Sequence, residues 1–346
     1  MARGMYDEPS VGKCIARLSE MGKRSLHFPR GTAPGVAMMV DEESSFYQEC
    51  ANRLMYPLLY YQRQHFWSRA GFAWDAHLHN DLSHPDFVLP KMLCFLNTFY
   101  LTDPEVEAIR ERLAGSGATV LWFYAPGIQS PDGFDLERTC RLTGFNLKAE
   151  DIQALPRITL TNPDHPYLRG APLAVRDSYI SGKEIPLSFG TGPLGNDERE
   201  RMIGPIFHVD DSEAEVLGEL DCLQRPGFCV KEMDGWTSIY VGAPMMNQHL
   251  FRNIAREAGV HIFSEDDDVI LPGKSFLMLH AREAGEKTVR LVSPSDVYEP
   301  YEDREIGEDL EEICEPFEQY ETRIYFLGSR AAYRGGSQSS DPTRGS

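Results

Sequence analysis

Features that identify several common classes of protein are missing from this sequence of 346 residues. No stretch approaches the roughly 18 consecutive apolar residues of a membrane-spanning helix, and the opening residues MARGMYDEPSVGKC lack the apolar core of a secretory signal. The seven cysteines are scattered and form no CxxC pair, which argues against a disulfide framework or a zinc site. We therefore expect a protein of a reducing compartment, the cytoplasm, with no cofactor and no membrane partner.

Positive charge is also scarce, because 34 Lys and Arg residues stand against 53 Asp and Glu residues and leave a net charge of −19. This balance argues against nucleic acid and anionic membranes as partners. Much of the excess lies in residues 299–321, where eleven acids accompany one arginine. We predict a solvated face or loop for that segment.

Apolar runs of strand length alternate with helical patterns from residue 35 onward. RLMYPLLYYQRQHFWSRA predicts the first covering helix, and TDPE at residues 102–105 predicts the start of the next one, with a capping residue, a proline in the first turn and acids near the positive end of the helix dipole. The apolar runs are GVAMMV, FAWDAHL, KMLCFLN and ATVLWFY. Continuous apolar runs are typical of parallel strands covered on both faces, and their alternation with helices implies right-handed crossovers. We predict an α/β fold with a doubly wound parallel sheet, followed by a small antiparallel β appendage in KTVRLVSPSDVYEPY and TRIYFLG.

The turn after the fourth predicted strand, FYAPG at residues 123–127, has no nucleophile. A catalytic α/β domain would carry a Ser, a Cys or an acid there. Without that group, a base such as His165 or His208 has nothing to activate. We expect no catalytic residue in this chain.

Four residues near the ends of predicted strands are candidates for a ligand cleft: Asp41, Glu42, Asn97 and Tyr124. Open α/β sheets bind ligands beyond the carboxyl ends of their strands. Neighbouring carboxylates could serve acid–base chemistry, as in glycoside hydrolysis, but that reaction needs two acids across a substrate. We favour a structural or subunit-contact role for these acids.

Two further motifs have chemical interpretations. His77 and His79 would lie on one face of a strand and are weak candidates for metal ligands; the alternative is a polar strand end. GTGPLG at residues 190–195 matches GxGxxG, but it contains proline and lacks the strand and helix of a dinucleotide site. We interpret that match as incidental.

The ordered series VAMMVDEESSFY, LLYYQRQHFWSRAGFAWDAHLHNDL and MLCFLNTFYLTDPEVEAIRERLAGSGATVLWFYAPG resembles the β-galactosidase trimerisation domain of glycoside hydrolase family 42. PIFHVDDSEAEVLGEL, GWTSIYVGAP and LFRNIAREAGVHIFSEDDDVILPGKSFLMLHA continue the resemblance, which covers roughly residues 35 to 328. In that family the domain follows the catalytic barrel.

The resemblance implies a flavodoxin-like sheet similar to class I glutamine amidotransferases, without their cysteine nucleophile. With the sequence pattern, it divides the chain into a lead-in helix and linker (1–34), a trimerisation domain (35–284), a small β domain (285–328) and a disordered tail (329–346). It implies a non-catalytic assembly or accessory role, in a homotrimer or beside a separate glycosidase barrel that carries the catalytic glutamates. The candidate contact segments are Phe46-Tyr47, Phe66-Trp67 and Phe99-Tyr100-Leu101, since aromatic residues suit interface cores, although we expect most of these residues to belong to the ordinary core of the domain.

Two alternatives remain open at this point. One is a stand-alone carbohydrate-binding or sensing protein, which exposed tryptophans at Trp67, Trp74, Trp122 and Trp236 would support. The other is a metal-dependent hydrolase that uses His77 and His79.

Overall fold

The computed structural model describes residues 8–31, 35–48, 54–171 and 202–335. By their contacts these residues form two units, one drawn from the 1–33 and 263–346 parts of the chain and the other from 34–262. This grouping differs from the sequence-based division, which set residues 1–34 apart and placed a boundary after residue 284. The difference arises because, by its contacts, the N-terminal helix belongs to the same unit as the C-terminal β segments.

The elements follow the predicted alternation in the first half of the chain. Within the described residues the helices are α1 (Pro9–Ser25), α2 (Gln62–His65), α3 (Asp103–Leu113), α4 (Leu136–Thr143), α5 (Gln248–Glu257) and α6 (Arg330–Gly335). The strands up to residue 262 are β1 (Val36–Val40), β2 (Trp74–Leu78), β3 (Met92–Phe95), β4 (Thr119–Phe123), β5 (Gln129–Ser130), β6 (Gly133–Phe134), β7 (Leu147–Glu150), β8 (Ile158–Leu160), β9 (Ile206–Val209), β10 (Glu215–Leu220), β11 (Arg225–Glu232) and β12 (Thr237–Val241). The later strands are β13 (Val269–Pro272), β14 (Phe276–His280), β15 (Gly285–Glu299), β16 (Arg304–Phe317) and β17 (Thr322–Leu327).

The unit of residues 34–262 is built on an eight-stranded sheet in the order β2-β1-β3-β4-β12-β11-β10-β8. The first five strands in this order are parallel to their neighbours, and the last three are antiparallel. All five residues of β4 are buried, as are four of the five in β1. The prediction of an α/β fold with a largely parallel sheet is confirmed.

Local sequence explains where α3 begins. Thr102 and Glu105 form a capping box, in which the Thr102 backbone N donates to Glu105 Oε2 at 2.8 Å. Pro104 lies in the first turn, where its missing N–H costs nothing. The helix therefore starts at Asp103, as the sequence predicted.

The predicted first covering helix is shorter and less regular than expected. It consists of a π-helical stretch, Tyr56–Tyr61, followed by α2, and a 3₁₀ turn, Trp67–Arg69, comes after it. Such π-helical turns widen the backbone locally. Buried Gln62 donates from Nε2 to Leu58 O at 3.4 Å and accepts from Met246 N at 2.8 Å, which ties this segment to the loop before α5.

The other unit contains a five-stranded antiparallel sheet in the order β13-β14-β17-β15-β16, which confirms the antiparallel appendage. Most of the acidic run lies in β16, an edge strand whose side chains are largely exposed. The loop alternative for that run is therefore wrong, whereas a solvated face is present. One of its acids, Glu315, is buried and accepts from Arg323 Nη1 at 3.0 Å and Tyr325 Oη at 2.9 Å.

The predicted disordered tail begins with structure. Residues 330–335 form α6, and Tyr333 is buried with Phe28, Tyr298 and Phe326 in an aromatic cluster. Residues 336–346, like the GTGPLG match at 190–195, lie outside the described residues. None of the helices in the described ranges has the length and apolar character needed to cross a membrane.

Candidate functional site

The carboxyl ends of β1 and β3 meet where the chain order in the sheet reverses, since β2 lies on one side of β1 and β3 on the other. Asp41 follows β1 and Asn97 lies just beyond β3. The Asp41 backbone N donates to Asn97 Oδ1 at 3.0 Å, and Asn97 Nδ2 donates to Asp41 O at 2.6 Å. Two of the predicted cleft residues are thus brought together, and they are joined by two hydrogen bonds.

The Asp41 carboxylate organises the 3₁₀ turn Glu43–Tyr47 that follows. Its Oδ2 accepts from the Ser44 backbone N at 2.7 Å and also from the Ser44 hydroxyl. Ser44 Oγ in turn accepts from the Tyr100 backbone N at 2.9 Å. The neighbouring Glu42, also predicted to line a cleft, is exposed.

His79 lies buried between two carboxylates. Its Nε2 is 3.2 Å from Glu105 Oε1, within hydrogen-bond distance, and its Nδ1 is 3.4 Å from Asp41 Oδ1, an ion-pair distance without hydrogen-bond alignment. Glu105 therefore has two tasks, because its other oxygen caps α3. We call Asp41, His79 and Glu105 the Asp–His–Glu cluster.

Within the Asp–His–Glu cluster, each charged group stabilises the charged form of its neighbour. Burial alone would lower the pKa of His79, but its interactions with Asp41 and Glu105 outweigh burial and raise that pKa. Burial alone would raise the pKa of Asp41, and the interactions with His79 and Ser44 lower it instead. Burial alone would also raise the pKa of Glu105, but the hydrogen bonds from Thr102 and the interactions with His79 lower it. The cluster is an internally paired group of charges.

His77 does not share this environment. Strand β2 ends at Leu78, so His79 belongs to the 3₁₀ turn His79–Ser83 and the prediction that both histidines lie on one strand face is wrong. His77 Nδ1 lies 3.7 Å from Asp81 Oδ2, and its ring contacts Phe87 edge-on. Among the described residues no three His, Cys, Asp or Glu side chains converge as metal ligands would.

Tyr124 occupies the turn after β4 in a left-handed backbone conformation, with φ of 63°. Residues other than glycine adopt this region at a cost and mainly where surrounding structure enforces it. The Tyr124 backbone N donates to Val241 O at 2.8 Å, and the Tyr240 hydroxyl donates to Tyr124 O at 2.6 Å. The strained turn that often presents a nucleophile is present here and carries a tyrosine.

The Tyr124 side chain is fixed as well. Its hydroxyl donates to Pro205 O, and its ring packs edge-on against Phe99 and Phe207. Burial raises the pKa of the hydroxyl well above its ordinary value, so it stays protonated at neutral pH. Tyr124 therefore offers no nucleophile.

A cavity of about 300 Å³ opens beside Tyr124, past the ends of β1, β3 and β4. Aromatic rings and three glutamines dominate its lining, which includes Tyr47, Gln48, Phe99, Tyr124, Gln129, Phe134, Gln153 and Phe207. Sequence reasoning predicted only Tyr124 among the ligand-cleft residues. The others carry no pattern that marks a site, because they come from separate turns and short strands that only the fold brings together.

The aromatic residues predicted to contact a partner separate clearly by exposure. Phe46 is 84% exposed and Tyr47 50%, and Tyr47 stacks on half-buried Tyr100 with ring centroids 4.4 Å apart. Trp67, Phe99 and Leu101 are buried, which agrees with the expectation that most of these residues belong to the core. We call Phe46, Tyr47 and Tyr100 the aromatic patch.

The tryptophans do not support a saccharide platform. Trp67, Trp122 and Trp236 are buried, and Trp74 is half-buried with its ring edge-on to Trp67. Trp122 donates from Nε1 to Ser238 Oγ at 3.0 Å and stacks on Phe95 inside the core. The support that exposed tryptophans would give to a carbohydrate-binding protein is therefore absent, because their hydrophobic area is used in packing.

Solved structures with a similar fold include β-galactosidases. The β-galactosidase from Bacillus circulans sp. alkalophilus matches 89% of this chain at 18% identity and a TM-score of 0.55, over 44% of its own length. A catalytic mutant of a GH42 β-galactosidase from G. stearothermophilus matches 92% at 15% identity and a TM-score of 0.57, over 43% of its length. The β-galactosidase from Halorubrum lacusprofundi matches 88% at 12% identity and a TM-score of 0.55, over 42%.

The chain thus spans less than half the length of these structural neighbours, and at such identities the similarity establishes a shared fold. The resemblance to family 42 proteins is confirmed at that level. No protein-family model and no curated protein matches the sequence.

Proposed function

We propose that this chain is a non-catalytic assembly or accessory module of a β-galactosidase of the family 42 type, or of a related glycosidase. The observation that carries the proposal is Tyr124 at the strained turn after β4. A group that could attack a substrate is replaced there by a buried hydroxyl bonded to Pro205 O. Chemistry in which the chain takes part would be performed by glutamates on another domain or chain.

The sheet supports the finer assignment to an amidotransferase-like trimerisation domain. The five parallel strands follow the order β2-β1-β3-β4-β12, which is the flavodoxin-like order. The match to β-galactosidases covers about nine-tenths of this chain and less than half of theirs. Both observations fit a module that accompanies a catalytic domain.

The aromatic patch is the proposed assembly surface. The side chains of Phe46 and Tyr47 are more exposed to solvent than aromatic side chains usually are in a monomer. Aromatic side chains are also enriched at the centres of interfaces. The turn that presents them is held by the Asp41–Ser44 hydrogen bonds. A rigid turn loses little conformational entropy on association, which favours its use as a contact.

Light scattering after size-exclusion chromatography tests the proposal. We expect a mass near three times the 39.1 kDa of the chain at high micromolar concentration. Phe46→Ser should weaken assembly by about tenfold. The matched control is Val88→Ser, because Val88 is equally exposed at 84% and lies outside the patch.

Two results would overturn the proposal. One is a monomer at every concentration that also fails to bind a family 42 barrel supplied as a separate chain. The other is hydrolysis of nitrophenyl β-galactoside by the purified chain alone.

A further inference from the structure

Two carboxylates border the aromatic patch. Glu42 and Glu43 come just before Phe46 and Tyr47 in the segment that presents the patch, and all four residues are exposed. Within the ranges that the structure describes, neither glutamate forms an ion pair with a lysine, an arginine or a histidine. The surface around the patch therefore combines large aromatic rings with negative charge that no neighbouring cation offsets.

Glu43 and Phe46 lie on the same side of their turn. They are the first and fourth residues of the 3₁₀ turn Glu43–Tyr47, and side chains three positions apart in a 3₁₀ helix lie one above the other. Asp41 fixes this turn, because its Oδ1 accepts from the Glu43 backbone N at 3.3 Å and its Oδ2 accepts from the Ser44 backbone N at 2.7 Å. A carboxylate and an exposed ring are thus presented side by side on a fixed backbone.

The other rings of the patch lie in the same negative environment. Tyr47 stacks on Tyr100 with ring centroids 4.4 Å apart and an angle of 7° between the ring planes. The interaction with Tyr47, the loss of hydration and the charges of Glu43 and Glu105 together raise the pKa of Tyr100 to about 12. The Tyr100 hydroxyl stays protonated, and negative charge surrounds it.

An apolar partner surface does not suit this patch. Burial of the Glu43 carboxylate against apolar atoms would remove its hydration without a compensating hydrogen bond. A partner copy that met the patch with acids would add repulsion between like charges, in a chain whose net charge is already −19. A cationic side chain avoids both costs, because it pairs with the carboxylate and is attracted to the face of an aromatic ring.

Arginine suits a carboxylate beside a ring better than lysine does. Its planar guanidinium can stack on the ring while two N–H groups donate to the carboxylate, and it is less strongly hydrated than an ammonium group. Arginine is also enriched at interfaces. The chain can supply this side chain, since Arg30, Arg169, Arg225 and Arg282 are exposed and form no ion pair with a described residue.

We propose that the aromatic patch binds an arginine side chain of a second copy of this chain. The guanidinium lies over the Phe46 ring and donates to the Glu43 carboxylate, and the stacked Tyr47 and Tyr100 rings border it. This inference rests on the proposed assembly role, and it names the chemistry by which the patch recognises its partner.

Two substitutions of Phe46 distinguish arginine binding from a plain hydrophobic contact. Leucine keeps an apolar side chain but has no π face, whereas tryptophan has the strongest attraction for cations. Light scattering over a dilution series gives the concentration at which half of the assembly dissociates. Phe46→Leu should raise this concentration by about tenfold, and Phe46→Trp should leave it unchanged or lower it.

The matched control for these variants is Phe134→Leu, because Phe134 is 58% exposed and lies outside the patch. This control should leave the half-dissociation concentration unchanged. A value for Phe46→Leu equal to that of the wild type would overturn the proposal, and so would an equal loss in Phe46→Leu and Phe46→Trp.

A second experiment tests the charge. Glu43→Gln keeps the shape of the side chain and should raise the half-dissociation concentration by about fivefold. Glu111→Gln on α3 is the control, because Glu111 is also exposed and lies outside the patch. Salt raised from about 0.05 M to about 0.5 M should weaken the wild-type assembly more than the Glu43→Gln assembly. Equal dissociation of the wild type and Glu43→Gln at low salt would overturn the proposal.

The assembly role and the arginine contact can fail in distinguishable ways. A chain that stays monomeric at every concentration would overturn both. An assembly that Phe46→Ser disrupts, but that Phe46→Leu and Glu43→Gln leave unchanged, would support the assembly role and overturn only the arginine contact.

Discussion

Two neighbouring parts of the same sheet edge differ in how their polar groups are used. At the ends of β1 and β3, Asp41 and Asn97 bond to each other, and Asp41 also contacts Ser44 and His79. Gln48 lines the cavity beside the end of β4, and its Nε2 atom is buried without a hydrogen-bond partner among the described residues. The part with the conspicuous acids is closed on itself, and the part beside the cavity is the open one. Polar residues at a strand end therefore indicate a binding site only when their bonds remain available.

The largest effect on stability should come from breaking the hydrogen bonds between Asp41 and Asn97 in the closed part. Asn97→Leu would leave the Asp41 backbone N and O buried without partners, at about 1–3 kcal/mol each. We expect a loss of roughly 2–5 kcal/mol in the free energy of unfolding, measured by urea titration. A loss below about 1 kcal/mol would show that these bonds are not what holds β1 to β3.

The Asp–His–Glu cluster should make stability depend on pH in a defined window. The raised pKa of His79 means that its contribution is complete below its ordinary value of 6.5 and is lost as pH rises through the raised value. Because the pKa values of Asp41 and Glu105 are lowered, the contributions of these two carboxylates to stability are present above pH 3.8 and pH 4.5, respectively. They are lost as the pH falls through the lowered pKa values. The cluster therefore stabilises most between about pH 4.5 and 6.5.

His79→Gln measures that contribution. At about pH 5.5 we expect a loss of roughly 2–3 kcal/mol, because two carboxylates lose a buried cationic partner, and a smaller loss at about pH 9. His84→Gln is the control, since His84 is exposed and its variant should show little effect at either pH. Urea unfolding at the two pH values checks this, and a loss that is equal at both would contradict the paired-charge interpretation.

Removal of one hydroxyl tests the turn between the two parts. Tyr124→Phe removes the bond to Pro205 O and should lower the free energy of unfolding by about 1 kcal/mol. Tyr320→Phe is a close control, because Tyr320 also has a positive φ, of 65°, but is 66% exposed. Thermal or urea unfolding of both variants makes the comparison, and equal changes in both would contradict the role of the Pro205 bond.

The smallest effect should come from the open part. Gln48→Met replaces an unpaired donor by an apolar group of similar length. We expect the free energy of unfolding to lie within about 0.5 kcal/mol of the wild-type value, or up to about 1 kcal/mol above it. Urea unfolding checks this, and a clear destabilisation would mean that Gln48 has a structural partner after all, which removes the contrast with Asn97.

Much of the fold could be predicted because its signals are local. The apolar runs located β1 through β4, and the TDPE sequence located the start of α3, since capping depends on residues three positions apart. The turn that lacks a nucleophile was predicted at residues 123–127, and Tyr124 is its non-glycine residue with a positive φ. Trimerisation remains a prediction.

The candidate site was predicted less well, because its contacts are distant in sequence. Asp41 and Asn97 were predicted to lie together but as free cleft residues, and their mutual bonds were missed. Glu105 was predicted only as an acid in the first turn of α3, with no sign of its second contact to His79. Gln48 carried no signal, since one glutamine after a polar turn is ordinary.

The sequence by itself determined the fold class and the absence of a nucleophile at the turn after β4. Both follow from covalent facts and short-range patterns, namely which side chains exist and how apolar residues are spaced. Only the tertiary structure decided which polar groups satisfy each other and which stay unpaired. Pairing depends on distances of about 3 Å between residues that are dozens of positions apart, and the composition of a strand end does not reveal whether its acids are already bonded.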